Sequence, residues 1–577
     1  MDKLKIYINN KELEFNEGDT VLKVAKKNGI FIPALCYHSD LKPHESCRLC
    51  MVEVEGDKNL KTACSLVAKP GMKIFTDTPL VQKTVKINLE LLLAQHDDDC
   101  EKCKRMSSCN LHYISEKYNP DIKKHSNRKK KLPRFQFGPS IILDQKKCIN
   151  CENCLEMCAK QTNGGFLATK EKKLDFEITP SKEKNRDCIY CGQCIVHCPT
   201  GALYEVEDYQ KVKKLLLEKK KKVVFQFAPS IRVSIGEEFG MLPGEVVTQK
   251  IFSALKKIGA YKVFDTSFGA DVTIMEESEE LIKKIINNKK EVMFSSCCPA
   301  WVKYVEFYEK DFVGNLTSVR SPQAILGGLI KTYWAEKEKI NSKEIIVVSI
   351  MPCTAKKFEI TRKELKVNGL YPIDITITNR EFAKLLKEFN IDFPNIEPSE
   401  EDNDVMGTFT GAGEIFGASG GVLEAAIRTA YAKITGKSLE NLEFKEIHEF
   451  AGIKELELTL EGKKLRFAAV NGIENVKKIL AEIKKYPEKY NCVEIMACPG
   501  GCIAGGGQPL PVDDEIRKAR INGLYQADRK NKRRESHKDP SIEILYKGFL
   551  ANEKNRKKIC HTHFALRRKG KIKKLCL

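Results

Sequence analysis

Two cysteine runs with the same spacing constrain this chain more than any other feature of its sequence. Residues 148–158 have the pattern Cys-x2-Cys-x2-Cys-x3-Cys, and residues 188–199 repeat that pattern and add a proline. Four thiolates at this spacing are typical ligands of [4Fe–4S] clusters, and a doubled run predicts two clusters in one small domain. We place this domain at residues 138–208.

The two runs also predict which cysteines act together. In bacterial two-cluster ferredoxins, the fourth cysteine of each run ligates the other cluster. The first cluster is therefore assigned Cys148, Cys151, Cys154 and Cys198, and the second Cys188, Cys191, Cys194 and Cys158. One departure from the motif is that Ala159 follows the first run, whereas Pro199 follows the second.

Length, cysteine content and the N-terminus set the context for these clusters. A chain of 577 residues predicts several domains. It has 23 cysteines, but its first residues, MDKLKIYINNKELEF, lack the charged-then-apolar layout of a signal peptide. Cysteines without a secretion signal favour metal ligands over disulfides, so we expect a cytoplasmic protein. There is no run of 18 apolar residues, so no membrane-spanning helix is expected.

Residues 1–78 carry a further set of four cysteines. Alternating polar and apolar residues on both sides of a polar turn predict a β-hairpin, and Asp19 or Thr20 then caps a short helix over residues 21–28. The cysteines that follow are spaced more widely than in plant-type ferredoxins: Cys36, Cys47, Cys50 and Cys64. Four thiolates in a small β-rich domain favour a [2Fe–2S] cluster, and a closed zinc site is the alternative.

Residues 79–125 carry a set in which a histidine accompanies three cysteines. An amphipathic helix over residues 81–95 leads into His96-x3-Cys100-x2-Cys103-x5-Cys109. The three cysteines lack a fourth thiolate, and imidazole is an acceptable iron ligand that raises a cluster's potential relative to thiolate. We therefore predict one [4Fe–4S] cluster with His96 as a ligand, and His112 is the alternative histidine.

Residues 223–515 predict an α/β domain whose strands lead to cysteines. Strand-like apolar runs alternate with helical patterns, which favours a mostly parallel sheet covered by helices. Three of these runs end at cysteine motifs that contain Cys298, Cys353, Cys498 and Cys502. Because ligands of open α/β sheets bind beyond the carboxyl ends of strands, we expect these cysteines to converge on one cavity. The alternative is a set of unrelated buried thiols, since free cysteine often packs as a small apolar residue.

Basic residues are concentrated in two parts of the chain. The formal net charge is +20, and residues 516–577 contain 20 Lys+Arg against 5 Asp+Glu, a net charge of +15. Residues 123–134 add seven Lys/Arg. Such runs are usually solvated surface, and the functional alternative is the steering of an acidic protein partner. No recognition motif supports nucleic-acid binding, so neither a nucleic acid nor a membrane is expected as a partner.

Five motifs give the chain a likeness to a known family. They are SSCCPAW (295–301), SPQ (321–323), MPCTAKKFE (351–359), FGASGGVLEAA (416–426) and MACPGGCIAGGGQP (496–509). With these motifs and the accessory cysteine sets, residues 1–515 resemble the [FeFe]-hydrogenases, in particular the monomeric clostridial type with four accessory clusters. The resemblance implies a cytoplasmic, monomeric oxidoreductase that reversibly combines two protons and two electrons into H2. It also implies electron exchange with ferredoxin, an acidic carrier.

The resemblance further implies a multidomain α+β and α/β fold. The expected units are a β-grasp [2Fe–2S] ferredoxin-like domain (1–78), a small His/Cys [4Fe–4S] domain (79–125), a bacterial ferredoxin-like domain with two [4Fe–4S] clusters (138–208), an α/β H-cluster domain (223–515) and a basic C-terminal tail (516–577). The accessory cofactors are then one [2Fe–2S] cluster and three [4Fe–4S] clusters.

The catalytic centre implied by the resemblance is the H-cluster, a [4Fe–4S] cubane joined through one thiolate to a two-iron unit. The two-iron unit carries CO, cyanide and an azadithiolate bridge, and dedicated maturation enzymes build it. The cysteines at the ligand positions, the last of them bridging, are Cys298, Cys353, Cys498 and Cys502. The positions that surround the two-iron unit are Lys356 at one cyanide, Ser230 and the backbone around Pro229 at the other, Gln323 near a CO, and Met351 and Met496 as apolar walls.

A proton relay completes what the resemblance implies. In the family it runs Cys–Glu–Ser–Glu–Arg, and the corresponding positions here are Cys297, Glu277, Thr317, Glu280 and Lys284. Cys297 is the expected general acid/base, since a thiol near metal charge can have a lowered pKa. Thr317 keeps a hydroxyl, whereas Lys284 keeps the charge of arginine without its planar fork. Without the resemblance, Glu277 and Glu280 would be interpreted as an ordinary acidic helix face.

Two other functional classes fit part of the sequence. Subunits of NADH-dehydrogenase or formate-dehydrogenase type resemble residues 1–208, but residues 223–515 carry the hydrogenase signatures, and no Gly-x-Gly-x-x-Gly follows a strand. A hydrogen sensor or an Fe–S assembly protein of hydrogenase-like fold is the non-enzymatic alternative, which the presence of Cys297 and Lys356 disfavours. Cys492, Cys560 and Cys576 have no cluster assignment. We interpret CHTHF (560–564) as a docked tail segment rather than a metal tract.

Overall fold

A computed structural model describes most of the chain. The described residues are 4–97, 99–101, 103–106, 109–121, 132–172, 175–287, 291–400, 405–444, 452–460 and 462–575. Most of the basic run 123–134 lies outside them, and so does Cys576. Within these ranges, no helix combines the length and the apolar character that crossing a bilayer requires.

The N-terminal domain is a five-stranded mixed sheet that packs against one short helix. Its strands are β1 (Leu4–Ile8), β2 (Lys11–Phe15), β3 (Met51–Val54), β4 (Lys61–Thr62) and β5 (Lys73–Phe75), in the order β2-β1-β5-β3-β4. β1 and β2 form the expected hairpin. Of the two candidate caps, Thr20 caps the helix Val21–Lys27, and its hydroxyl accepts a hydrogen bond from the Lys23 amide. The parallel pairing of β1 with β5 completes the β-grasp arrangement.

Two helices, Pro79–Leu93 and Asn110–Tyr118, form the next unit. Thr78 caps the first helix, and Pro79 occupies its first turn, where a missing amide hydrogen costs no hydrogen bond. The loop between the helices carries the predicted His/Cys set. Apolar residues of both helices share one core with cysteines of the N-terminal domain and of the cysteine repeat. The unit therefore lies between those two domains.

The cysteine repeat folds as two similar halves beside a small antiparallel sheet. The sheet contains β6 (Arg134–Phe137), β7 (Ile141–Asp144) and β10 (Leu203–Glu205), and a separate hairpin pairs β8 (Leu167–Lys172) with β9 (Asp175–Pro180). Each run leads into a helix, Asn153–Gln161 or Gln193–Val196. Positive φ angles recur at matching positions of the two runs: Asn150 and Glu152 in the first, Tyr190 and Gly192 in the second. The repeat in sequence is thus also a repeat in backbone conformation.

The largest domain, which follows the helix Tyr209–Glu218, contains two four-stranded sheets. The first sheet contains β11 (Lys222–Phe227), β12 (Lys262–Asp265), β14 (Ile345–Met351) and β15 (Ile375–Thr378), all parallel, in the order β12-β11-β14-β15. The second contains β13 (Met293–Phe294), β16 (Ile453–Leu460), β17 (Lys463–Asn471) and β18 (Cys492–Met496), in the order β13-β18-β17-β16, with only β16 and β17 antiparallel. The mostly parallel arrangement is confirmed, but it is divided between two sheets.

Helices cover both sheets of this domain. They are Thr248–Lys257, Thr266–Ile286, Pro299–Tyr308, Pro322–Leu329, Ala335–Lys337, Ala355–Glu359, Asn379–Glu388, Gly411–Glu414, Gly421–Thr435 and Ile473–Lys485. The longest, Thr266–Ile286, packs against both Pro322–Leu329 and Gly421–Thr435. Because it is enclosed in this way, Glu277 is buried and does not belong to a solvated acidic face, whereas the side chain of Glu280 is 27% exposed. Glu276, which precedes Glu277, is also buried.

The basic C-terminal segment is docked on the rest of the molecule. It contains the helices Asp514–Lys530, Pro540–Lys547 and Glu553–Cys560 and the strand β19 (Ile572–Leu575), which pairs antiparallel with β6 of the cysteine repeat. Arg517 and Arg520 are buried, and their guanidinium groups pair with Asp40 and Glu237. His561 forms a β-bridge with Val319, as expected of a docked tail. Part of the basic charge therefore holds domains together and is not solvated.

Candidate active site

One buried cavity gathers residues that are far apart in the sequence. It has a volume of about 70 Å³ and lies at the carboxyl ends of β14 and β18. Eleven of the residues expected at the catalytic centre line it: Pro229, Ser230, Cys297, Cys298, Gln323, Met351, Cys353, Lys356, Met496, Cys498 and Cys502. Their shared position makes a common function possible, and their individual roles remain predictions.

Local structure explains why the four predicted ligands meet. Cys298 immediately precedes the helix Pro299–Tyr308, Cys353 lies two residues after β14, and Cys498 lies two residues after β18. Parallel strands place their carboxyl ends at one edge of a sheet, and here two sheets direct such edges at one cavity. Cys502 follows Gly501, which has a φ of +100°. A Cβ atom added at position 501 would lie 2.7 Å from the Ser419 amide nitrogen. A side chain at position 501 would therefore disturb the loop that presents Cys502.

The donor set of the cavity fits an iron–sulfur group. Burial raises the pKa of Cys353 to about 12, and the neighbouring Cys298 thiol acts in the same direction. Adjacent buried thiols become thiolates when a cation compensates their charge, and metal ions supply that charge. The Ser230 hydroxyl is buried in the same lining and has no hydrogen-bond partner within the described part of the chain. An orphaned hydroxyl of this kind fits a ligand that is not part of the polypeptide.

Lys356 brings a positive charge to the wall of the cavity. Its Nζ donates to the backbone oxygen of Cys297 at 3.1 Å and to Glu359 Oε2 at 2.9 Å. Burial opposes this charge, but the nearby carboxylate of Glu359 outweighs burial and raises the pKa of Lys356. Glu359 also accepts from the Gln323 amide, whose oxygen accepts from the Ser349 hydroxyl at 2.9 Å. Glu359 therefore orients two lining residues, although its position in MPCTAKKFE was its only signal in the sequence.

The inner residues of the predicted relay lie beside this cavity. Burial raises the pKa of Glu277 to about 8, and the neighbouring Glu280 acts in the same direction. Glu277 Oε1 has no hydrogen-bond partner among the residues that the structure describes. Burial, reinforced by Glu277, also raises the pKa of the Cys297 thiol, which is opposite to the expected influence of metal charge. The polypeptide surroundings therefore favour the protonated forms of both side chains.

The outer residues of the relay make contacts that the sequence did not predict. Thr317 Oγ1 donates to Glu280 Oε2 at 2.6 Å, while Lys284 Nζ donates to the backbone oxygen of Glu291. Next to Thr317, Ser318 Oγ donates to Glu280 Oε1 at 2.6 Å. The same hydroxyl lies 2.8 Å from Nδ1 of a histidine in the C-terminal segment, His561. Sequence reasoning interpreted that histidine only as part of a docked tail.

Comparisons with known proteins agree with this geometry. The family described as iron only hydrogenase large subunit, C-terminal domain, matches residues 221–506. Families described as 2Fe-2S iron-sulfur cluster binding domain, 4Fe-4S dicluster domain and iron hydrogenase small subunit match residues 1–79, 140–213 and 514–567. Iron hydrogenase 1 of Clostridium pasteurianum is 38% identical over 94% of this chain and 96% of its own length.

The chain belongs to the iron-only hydrogenases. A second relative, an NADP-reducing hydrogenase subunit of Solidesulfovibrio fructosivorans, is 38% identical over 99% of this chain and 100% of its own length. A solved structure of an [FeFe]-hydrogenase variant from Chlamydomonas reinhardtii superposes with a TM-score of 0.56 at 35% identity, covering 62% of this chain and 98% of that one. This hydrogenase is thus an oxidoreductase with [2Fe–2S] and [4Fe–4S] clusters and an H-cluster.

The eight cysteines of the repeat line two smaller cavities of this hydrogenase, four cysteines in each. One cavity of about 20 Å³ is lined by Cys148, Cys151, Cys154 and Cys198. A second cavity of about 20 Å³ is lined by Cys158, Cys188, Cys191 and Cys194. These groups are the crossed sets that the spacing predicts. The backbone amides of Asn150 and Tyr190 each donate to a cysteine sulfur at 3.4 Å, the kind of contact that tunes a cluster's potential.

His96 is the better placed of the two candidate histidines. It is buried, and its Nδ1 lies 3.0 Å from the backbone oxygen of Lys147. A carbonyl at one ring nitrogen typically orients an imidazole that binds a metal through the other nitrogen. His112, by contrast, has a side chain that is 33% exposed, and its Nε2 lies 3.4 Å from Glu116.

The cluster sets of this hydrogenase adjoin one another. Cysteines of both outer sets share a hydrophobic core with the first cavity of the repeat: Cys36, Cys47, Cys109 and Cys151. On the other side of the repeat, Gly192 has a φ of +73°, and a Cβ atom added at this position would overlap with Thr354 Oγ1 and lie 2.8 Å from Gly506 Cα. The repeat therefore touches the loops that carry the catalytic cysteines, with no room for a side chain at this glycine.

The cysteines without a cluster assignment lie away from this series. Cys492 is buried at the start of β18, and Cys560 is buried at the end of the helix Glu553–Cys560. Neither lines the catalytic cavity or the two cavities of the repeat. Cys576 lies outside the described residues.

Proposed function

We propose that this hydrogenase reversibly combines two protons and two electrons into H2 in the 70 Å³ cavity. The observation that carries the proposal is the shared lining, in which four cysteines, Lys356 and the unpartnered Ser230 hydroxyl face one space. Thiolates suit iron, and the ammonium and hydroxyl groups suit an anionic ligand such as cyanide.

Each lining residue has a separate role in this proposal. Four cysteines would hold the cubane, and the last of them would also hold the two-iron unit: Cys298, Cys353, Cys498 and Cys502. Lys356, Ser230 and the backbone around Pro229 would donate to the cyanide ligands, and Gln323 would lie near a CO. Soft apolar bulk that excludes water comes from Met351 and Met496. When bound, the H-cluster supplies the metal at which protons and electrons combine.

Protons reach the cavity through Cys297, Glu277, Thr317 and Glu280 in this proposal. The Glu277 pKa of about 8, raised by burial, lies near neutrality, where a group both accepts and releases a proton efficiently. The 2.6 Å contact between Thr317 and Glu280 supports transfer through the threonine hydroxyl. Lys284 follows one turn later on the same helix and keeps a positive charge near the outer end.

Electrons travel through four accessory clusters in this proposal. One [2Fe–2S] cluster occupies residues 1–78, one [4Fe–4S] cluster is bound partly by His96, and two occupy the cysteine repeat. The packing of both outer sets beside Cys151 supports a branched path that joins at the first repeat cluster. The close approach of Gly192 to Thr354 supports an electron path from the second cysteine set of the repeat to the catalytic cavity.

A ferredoxin is the proposed electron partner. A net charge of +20 favours an acidic carrier over a basic one, because opposite charges accelerate and orient the encounter. Maturation enzymes are the second class of partner, since they build the two-iron unit. We propose a cytoplasmic monomer.

A relative suggests a second electron partner. The Solidesulfovibrio fructosivorans protein is named as a subunit of an NADP-reducing hydrogenase and matches 99% of this chain. Assembly of this chain into a complex that reduces a pyridine nucleotide is therefore the alternative. Purified protein that reduces ferredoxin with H2 supports the first partner. Activity with a viologen dye but none with ferredoxin supports the second.

Infrared spectroscopy of anaerobically matured protein, together with a viologen-driven H2 assay, tests the catalytic proposal. We expect CO and cyanide bands and H2 formation, both dependent on maturation. The matched control is the same chain expressed without maturation enzymes. Bands without H2 would favour a hydrogen sensor, and the absence of both would favour an assembly protein.

A further inference from the structure

We propose that Arg517 of the C-terminal segment is a positioning residue for electron transfer between the [2Fe–2S] set of residues 1–78 and the first cysteine set of the repeat. It acts through Asp40, whose carboxylate it holds beside His197. The inference rests on the proposed function, because it concerns one step of the proposed electron path. It gives the C-terminal segment a part in that path, whereas its basic composition indicated only solvated surface or the steering of a partner.

The loop that carries three thiols of the [2Fe–2S] set has no regular structure of its own. Residues 28–50, all of which the structure describes, contain no helix or strand. Cys36, Cys47 and Cys50 lie within them. A segment without helix or sheet hydrogen bonds keeps one position only where tertiary contacts restrain it. The position of these thiols relative to the repeat therefore depends on the contacts of the loop.

Asp40 connects this loop to two other parts of the molecule. Its Oδ1 accepts from Arg517 Nη1 at 2.7 Å, and its Oδ2 accepts from Arg517 Nη2. The same Oδ2 lies 3.0 Å from Nε2 of His197, the residue directly before Cys198. The backbone oxygen of Asp40 accepts from Nζ of Lys160, which also belongs to the repeat, at 2.8 Å. One loop residue is thus bonded both to the C-terminal helix and to the repeat.

Two imidazole rings bring the ligand segments of the two sets into contact. His38, two residues after Cys36, packs on His197 with ring centroids 4.0 Å apart. Nδ1 of His197 lies 2.7 Å from the backbone oxygen of Gln193, within the repeat. The His197 side chain is fully buried, so this contact lies inside the protein. Packed side chains therefore join the segment that carries Cys36 to the segment that carries Cys198.

A metal site is the other interpretation of these residues, but their surroundings oppose a cation. His38, Asp40 and His197 each offer a ligand atom, and these atoms lie within 4.8 Å of one another. Both oxygens of Asp40, however, already accept from Arg517, and the positive charge of Arg517 would repel a metal ion. We therefore interpret Asp40, Arg517, His38 and His197 as a junction between segments, and call them the junction.

The ion pair of the junction favours one geometry more than it adds stability. The side chains of Arg517 and Asp40 are 1% and 14% exposed. Removing two charges from water costs about as much as their attraction returns, so a buried pair adds little net stability. Displacing one partner is nevertheless costly, because the other charge is then left buried without compensation. The pair therefore restrains the loop at one position beside the repeat.

Other contacts between these regions restrain the loop less. Leu35 and Leu49 share a hydrophobic core with Ile149 of the repeat, and hydrophobic burial has no preferred direction. Lys26 Nζ lies 3.0 Å from Asp513 at the start of the C-terminal helix, but the Lys26 side chain is 69% exposed. Solvent and salt weaken such an exposed pair. The directional, buried restraint on the loop comes from the junction.

The step that the junction serves is the transfer of one electron. During H2 formation the [2Fe–2S] cluster is oxidised by one electron and the first repeat cluster is reduced by one, and during H2 uptake the direction is reversed. No proton moves, and no covalent bond of the protein forms or breaks. The rate of such a transfer falls steeply as the distance between clusters increases. A restrained loop therefore keeps the transfer fast.

Magnetic coupling between reduced clusters tests this distance. In dithionite-reduced full-length protein, a nearby reduced [4Fe–4S] cluster accelerates the relaxation of the [2Fe–2S] electron paramagnetic resonance signal, so more microwave power is needed for saturation. We expect Arg517→Gln to lower the half-saturation power, with the same spin count per protein and the same CO and cyanide bands after maturation. Lys26→Gln, which removes the exposed pair, should match the wild type. Wild-type saturation in Arg517→Gln would overturn the proposal.

A double-mutant cycle identifies the cluster responsible for the coupling. Cys148→Ala removes a predicted ligand of the first repeat set and should also lower the half-saturation power. Because Arg517→Gln acts on the same coupling, it should have little further effect in the Cys148→Ala background. An equal effect of Arg517→Gln in both backgrounds contradicts the proposal, because Arg517 then acts on a different contact.

Rapid mixing with H2 measures the transfer itself. In matured Arg517→Gln, the [2Fe–2S] signal should appear more slowly than in the wild type, while the signals of the repeat clusters should appear at the wild-type rate. A variant that is merely less stable would not delay one cluster alone. Equal rates for the [2Fe–2S] signal in the two proteins are incompatible with a positioning role.

A second variant covers the case in which Arg517→Gln does not fold because the charge of Asp40 is left buried. Asp40→Asn combined with Arg517→Gln removes both charges and should lower the half-saturation power in the same way. Wild-type saturation in this double variant overturns the proposal, and so does the absence of a [2Fe–2S] signal from the wild type. If the wild type forms no H2, the proposed function fails, while saturation still decides on the junction, because it requires only the accessory clusters.

Discussion

The cysteine repeat and the catalytic cavity both gather four thiols around a small space, but they do so at different ranges along the chain. In the repeat, each set is drawn from two runs within residues 148–198. In the cavity, the cysteines extend from Cys298 to Cys502 and depend on strands of two sheets. A local motif is sufficient to gather the thiols of the repeat, whereas the catalytic set requires the whole domain.

The two regions also differ in what surrounds the thiols. In the repeat, backbone amides such as that of Tyr190 donate to cysteine sulfurs. The catalytic cavity adds buried polar side chains, namely an ammonium group at Lys356, a carboxyl group nearby at Glu277, and a hydroxyl at Ser230 that has no hydrogen-bond partner among the described residues. Such groups are costly to bury, so their presence indicates a region that binds ligands and moves protons.

Removal of a catalytic cysteine should have the largest effect. We expect Cys498→Ser to abolish H2 formation and the CO and cyanide bands, because the cubane loses a ligand that no nearby residue replaces. Electron paramagnetic resonance should still detect the accessory clusters. Cys492→Ser, six residues earlier and outside the cavity lining, is the control and should retain activity. Persistent bands in Cys498→Ser would show that the cavity is not the catalytic centre.

Loss of the proton-carrying thiol should leave the H-cluster in its cavity but slow H2 turnover. We expect Cys297→Ala to reduce H2 turnover about 100-fold or more, because general acid–base groups typically contribute that much. The CO and cyanide bands should remain, since Cys297 is not an assigned ligand. Near-normal turnover, measured with the viologen assay, would remove Cys297 from the proton route.

A substitution in the repeat should have a smaller, separable effect. If the ligand sets are crossed, Cys198→Ala and Cys148→Ala should eliminate the same [4Fe–4S] signal, while Cys188→Ala eliminates a different one. Ferredoxin-driven turnover should fall, because the electron path is interrupted, and the catalytic infrared bands should persist. Loss of the same signal in Cys198→Ala and Cys188→Ala would instead show that each run binds its own cluster.

The smallest effect should appear in the pH dependence of stability. Burial raises the pKa of Glu277 from an ordinary value of 4.5 to about 8 in the folded state. The folded state then retains a proton that the unfolded state loses, so the free energy of unfolding decreases as pH rises from about 4.5 to about 8. We expect Glu277→Gln, which is neutral at every pH, to flatten this part of the curve of melting temperature against pH. Parallel curves for both proteins would contradict the buried, protonated carboxyl group.

The sequence alone was sufficient for the family, and it predicted the order of domains and the grouping of cysteines. Ligand spacing is a local property, because a few residues of fixed length decide which thiols can reach one metal cluster. The crossed sets of the repeat and the preference for His96 over His112 follow from such short-range patterns. The mostly parallel strands were equally visible, since apolar runs of strand length end at each catalytic cysteine motif.

Only the tertiary structure decided which charged residues are buried and what they contact. Glu276 and Glu277 resemble a solvated helix face until neighbouring helices enclose them, and the basic tail resembles a solvated surface until Arg517 and Arg520 are seen in buried ion pairs. The contact of His561 with Ser318 joins residues 243 positions apart. No local pattern encodes such a contact, because it exists only when the C-terminal segment docks beside the relay.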